Sequence, residues 1–187
     1  MTMKEIRIPK ALRELHGERS TLACLAIVYA TGLGVAGAIV LGALPFGLAP
    51  WRLLVLALVA LDIGGGVAAN LSSSTNRYYA ERPRLRRAFI LLHVLQPAIL
   101  AAVLPEAWPY FASAGAFTLL SCLMLGRIKD RELQQGLAAL LVALGLAASL
   151  LLFDLRIQVL HAFAPLYMMK LILGFSVQRP DFRQAGN

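Results

Sequence analysis

Six runs of residues, at 21–44, 52–71, 88–104, 107–126, 133–153 and 157–177, are almost free of charge and apolar on every side. No other feature restricts the fold as much. A hydrocarbon core about 30 Å thick takes about 20 residues of helix to cross, and within it the backbone must satisfy its own polar groups. That leaves helices or a closed barrel. Barrel strands would alternate polar and apolar residues, and these runs do not, so the expected fold is an all-α integral membrane protein with six transmembrane helices. The composition agrees, being 59% hydrophobic and only 15% charged where a soluble domain carries about 25%. Short connections leave room for one membrane domain over 1–187, with a basic lead-in at 1–19 and a tail at 178–187. The first run is too long for a signal-peptide core and lacks a clear A-x-A site, so it reads as a retained helix.

Lys and Arg set the orientation. They gather in the lead-in, in the second loop (Arg77, Arg82, Arg84, Arg86, Arg87), in the fourth loop (Arg127, Lys129, Arg131) and in the tail, against only Arg52 and Arg156 at the opposite ends. The positive-inside rule then puts both termini in the cytoplasm, as expected for a multi-pass protein of a bacterial-type cytoplasmic membrane. Topology and anionic lipid headgroups account for the net charge of +8, so no nucleic-acid partner is implied. Cys24 and Cys122 fall toward the reducing side and read as small apolar residues, with no disulfide or metal role. In the lead-in, Ile8, Leu12 and Leu15 at helical spacing, with Pro9 at a first turn, suggest a short interfacial helix.

Six spans divide into two sets of three with opposite orientation, and weak internal matches fit such an inverted repeat. Leu92–Pro97 (LHVLQP) and Leu160–Pro165 (LHAFAP) share L-H-x-x-x-P in the third helix of each set. Leu58–Asp62 (LVALD) matches Leu141–Gly145 (LVALG), and Tyr29–Gly32 (YATG) resembles Phe111–Ala114 (FASA). Against these matches, Leu and Ala are so common here that short coincidences are cheap. A true repeat would favour a transporter or channel with its site near the midplane.

The second run holds the sequence LDIGGGVAAN, with Asp62, Gly64, Gly65, Gly66 and Asn70. A carboxylate in hydrocarbon is costly, and glycines weaken a helix, so both need a reason. Counting about 1.5 Å per residue puts Asp62 near the midplane, with Asn70, His93, Gln96 and Lys170 in the layer between it and the cytoplasmic face. His161 stands apart near the outer face. Asp62 with Lys170 is the expected ion pair, beside a polar cavity open to the cytoplasm. The glycines would admit a neighbouring helix or a ligand, or let the helix unwind and offer carbonyls to an ion. Pro97 and Pro165 free the carbonyls of His93 and His161 and predict kinks there. In the second loop, read as irregular, Asn76 and Arg77 are the candidate contacts to an anionic group.

No water-channel Asn-Pro-Ala pair, phosphate loop, H-E-x-x-H or G-x-S-x-G motif is present, and the three histidines are too dispersed for a metal, so no cofactor or metal is expected. Three functions compete. The first is a small transporter or channel for an ion or polar solute, with Asp62 as ion or proton site, Lys170 as counter-charge and the histidines along the path. The second is an intramembrane enzyme acting on a lipid or lipid-linked substrate, with Asp62, His93 and Lys170 as acid/base groups and Asn70, Asn76 and Arg77 at the headgroup. The third is a structural or accessory subunit. Midplane charge and the possible symmetry put transport first.

Overall fold

The structure, a computed structural model, describes residues 4–177. Among the described residues, six helices are long and apolar enough to cross a membrane: Leu22–Phe46, Pro50–Leu71, Pro83–Val103, Pro105–Leu125, Arg131–Leu151 and Gln158–Ser176. They fit a multi-pass membrane protein. The first and fifth lie on the outside of the bundle, while the second and sixth are mostly buried and form its core.

The lead-in is a hairpin, where helical spacing suggested an interfacial helix. Strand β1 (Glu5–Arg7) runs antiparallel to β2 (Arg19–Thr21), with Glu5 opposite Thr21 and Arg7 opposite Arg19. Between them lie only a 3-10 turn, Lys10–Leu12, and a one-turn helix α1, Arg13–His16. Two residues explain the difference. Pro9 takes an extended ψ of 146°, and the amide of Ile8 before it donates to Glu18 O at 3.0 Å instead of entering a helix. Gly17 then turns the chain back at φ 74°, a conformation open chiefly to glycine, in a space where a Cβ would strike Ser74.

Thr21 starts the first long helix, α2 (Leu22–Ala43), by accepting the Cys24 amide at 3.2 Å. Its buried Val28, Gly32, Ala36 and Ile39 recur at three- and four-residue spacing and face α3, Pro50–Leu71. The approach is close. A Cβ on Gly32 would lie 2.9 Å from Leu61 O, and one on Gly64 would lie 2.7 Å from Cβ of Val35. Small residues thus bring two backbones together as in membrane helix pairs.

Ser72 ends α3 in an extended conformation and caps the next helix, α4 (Ser73–Ala80), by accepting the Thr75 amide. The second loop is therefore helical over much of its length, with Thr75 and Tyr79 buried one turn apart. Pro83 occupies a first helical turn and begins α5 (Pro83–Leu92), so the third span starts five residues before the expected 88. That span is broken at His93 and Val94 and resumes as α6, Leu95–Val103. The break has a mate in α7 (Trp108–Leu125), where Gly115 receives the Pro97 ring: a Cβ there would be 2.7 Å from Pro97 Cγ.

Asp130 caps α8 (Arg131–Leu151) through the Leu133 amide at 2.8 Å, and Gln134 donates to Leu125 O at 2.9 Å, closing the end of α7. The sixth span changes type along its length. A 3-10 turn, Gln158–Ala162, leads into α9, Phe163–Met168, which continues as a π-helix, Met169–Ser176.

Candidate functional site

Lys170 lies in the first turn of the π-helix and is 1% exposed, a depth that an ammonium tolerates only with partners. Gly66 makes the room. A Cβ on it would stand 2.8 Å from Lys170 Cδ and 3.0 Å from Nζ, so the lysine stem rests on bare α3 backbone. Lys170 Nζ donates to Asp62 Oδ2 at 2.7 Å and to the Asp62 carbonyl at 3.3 Å. Gln96 Nε2 donates to the same Asp62 oxygen. The pair is asymmetric: the Lys170 side chain is 2% exposed and that of Asp62 52%.

The three glycines therefore have separate tasks, Gly64 and Gly65 against α2 and Gly66 beneath Lys170. The helix runs unbroken through them, and the unwinding that would have offered carbonyls to an ion is not found.

His93 is 8% exposed and sits within electrostatic range of both Lys170 and Asp62. One ring nitrogen is bonded to Phe89 O at 2.7 Å. Its own carbonyl, released by Pro97, accepts the Tyr167 hydroxyl at 2.7 Å. His161 repeats this arrangement elsewhere: Pro165 releases its carbonyl, Tyr110 donates to it at 3.0 Å, and the ring nitrogen Nδ1 meets Ser149 O at 3.1 Å. The sixth-span histidine does not join the site. A small apolar cavity of about 20 Å³ is bordered by Ala60, Ile63, Leu160 and Phe163.

Asn70 and Asn76 face backbone rather than an open cavity. Asn70 donates to Lys170 O at 3.0 Å, and Asn76 to Val177 O at 3.5 Å. Arg86 completes the set, donating from Nε to Phe175 O at 3.0 Å and from a second nitrogen to the same oxygen. The void these residues border, with Thr75 and Tyr79, measures about 10 Å³, room for about one water. Arg77 borders a different space, a surface cavity of about 330 Å³ shared with Glu5, Glu18, Arg19, Ser73, Ser74, Tyr78 and Glu81.

Sequence reasoning had no role for Arg86, Tyr110 or Tyr167. For the tyrosines the two prolines carried the only signal: each removes an amide from a carbonyl, and although the His93 carbonyl keeps the Gln96 amide at 3.3 Å, a hydroxyl from another helix joins it. Outside the spans, His16 is buried against Tyr29, whose hydroxyl lies 3.1 Å from Nε2, and burial holds its pKa below the ordinary value. Tyr79 is shifted upward, by burial first and then by Glu14 and Tyr78.

No family model, curated protein or solved structure matches the chain. Its chemistry is read from its own geometry. A buried ammonium is held by a carboxylate that is itself half exposed.

Proposed function

We propose that the chain is a small membrane transporter that exchanges protons for a cation at Asp62, on the cytoplasmic side of the midplane, with both termini in the cytoplasm. The Asp62–Lys170 pair carries this reading, because its buried member can leave the carboxylate only by losing a proton or by moving within a dry core. A cation arriving at Asp62 takes the place of the ammonium, and Lys170 gives up a proton. The net charge of the site is then the same before and after, which avoids the cost of an isolated charge in hydrocarbon. His93, within electrostatic range of both groups, is the candidate to relay that proton onward, and the broken helix at His93 and Val94 is the element best suited to move. An inverted pair of three-helix sets belongs to this reading; it is supported by the two L-H-x-x-x-P segments.

The test is flux. In liposomes holding a trapped pH dye, an imposed proton gradient should relax on addition of Na⁺, K⁺ or the cationic dye ethidium, faster with the wild-type protein than without it. Asp62→Asn should abolish the difference while the purified protein keeps its elution profile and melting temperature. Equal rates in wild type and variant would remove the basis for exchange at Asp62.

A second reading, an enzyme acting on lipid, has one observation in its favour: Asp62 opens on the flank of the bundle, beside His93, where a lipid would lie. It predicts a chemical change in membrane lipids on expression of the wild type that Asp62→Asn and His93→Ala both lack.

A further inference from the structure

The flank on which Asp62 opens is greasy. Leu58, one turn before it, is 57% exposed, and Leu92 and Ile99, four residues before and three after Gln96, are 61% and 42% exposed. Gln96 adds a second, independent feature. Its amide nitrogen is spent on Asp62, while its oxygen Oε1 is buried with no hydrogen-bond partner among the described residues. A buried acceptor without a donor is unfavourable, and here it lies on the side chain that also bonds the charged carboxylate.

We infer that the cation exchanged at Asp62 is a lipophilic primary or secondary ammonium ion that enters sideways from the bilayer between α3 and α6. This rests on the proposed exchange at Asp62 and adds the class of substrate. One N–H of the ammonium replaces Lys170 on the carboxylate, and another meets Gln96 Oε1 once the amide turns that oxygen toward the flank. The hydrocarbon tail lies along Leu58, Leu92 and Ile99, already at home among lipid chains. A bare metal ion gains nothing from such a flank and must shed its water there. A second copy of the chain fits it poorly, because the operation that covers the flank brings one Asp62 toward another. Charge balances in the exchange: one ammonium is bound and one proton leaves Lys170.

Binding in phosphatidylcholine nanodiscs tests this, read by titration calorimetry in two buffers of different ionisation heat, with empty nanodiscs as the blank. Octylammonium should bind saturably and release about one proton per site. Asp62→Asn should weaken it by about tenfold or more, and Gln96→Met, which leaves the ion pair in place, by about threefold to tenfold. Octyltrimethylammonium, with no N–H, should bind about tenfold more weakly than octylammonium. Equal affinity for the two amphiphiles, or no change in Gln96→Met, overturns the assignment. Saturable Na⁺ binding with proton release, and none by octylammonium, leaves exchange at Asp62 standing and removes this substrate class. If no cation releases a proton, both proposals fail. Nanodiscs that hold two copies with the flank covered and take up no amphiphile also overturn it.

Discussion

Replacing Gly66 by alanine tests whether Lys170 rests on α3 as described. The new Cβ would crowd Lys170 Cε most closely and lie 2.8 Å from Cδ, where ordinary contact begins at 3.4 Å, so the stem must retreat by more than about 0.6 Å. Lys170 is 1% exposed and has little free space to use. The retreat therefore falls on the 2.7 Å bond to Asp62, and losing a charge-assisted hydrogen bond costs about 1.5–3 kcal/mol. Alanine returns about 1 kcal/mol of helix propensity. Gly66→Ala should thus destabilise the fold by about 0.5–2 kcal/mol. Gly37→Ala is the control, since a Cβ there has nothing within 4 Å and keeps only the propensity gain. Reversible unfolding in mixed micelles with increasing dodecyl sulfate measures both. In a Lys170→Leu background the difference between them should shrink, as a double-mutant cycle demands of residues in contact. If Gly66→Ala is as stable as Gly37→Ala, the lysine stem does not occupy that face and the geometry of the pair is wrong.

Arg86→Leu strips both donors from the Phe175 carbonyl and should cost about 1–3 kcal/mol, seen as a lower unfolding midpoint in the same micelles. Tyr167→Phe should cost about 1 kcal/mol in the wild type and less after Pro97→Ala, because the restored amide can bond the His93 carbonyl itself. His16 is held neutral by burial, so its contribution to stability is fully present above the ordinary histidine value of 6.5 and is lost as pH falls below it. The hairpin over residues 5–21 should accordingly exchange amide hydrogens faster at pH 5.5 than at pH 7.5 after correction for intrinsic rates, and His16→Phe should flatten that dependence.

The six helices were legible because hydrocarbon-length apolar runs have few alternatives, and arithmetic on helix rise put Asp62 and Lys170 in one layer, where opposite charge made them the expected pair. The prolines at 97 and 165 likewise announced which carbonyls would be freed. What answers those carbonyls was not legible, because Tyr110 and Tyr167 come from other helices and nothing local marks them. Arg86 was hidden for the same reason, looking like one more inside-loop arginine until the end of the sixth span lies across it. The run Ser72 to Tyr79 misled in the opposite way. Its Ser, Thr and Asn residues read as a loop, yet one serine is a cap and two residues a turn apart form a buried face. The π-helix leaves no trace in apolar periodicity, since its residues are almost uniformly buried.

Asp62 and Lys170 are 108 residues apart in the chain. A ribosome adding about 5–20 residues per second makes the second helix roughly 5–20 s before the counter-charge it needs. During that interval the carboxylate has no ammonium to answer it. A chain that stops short of residue 170 keeps that acid unanswered in its core helix.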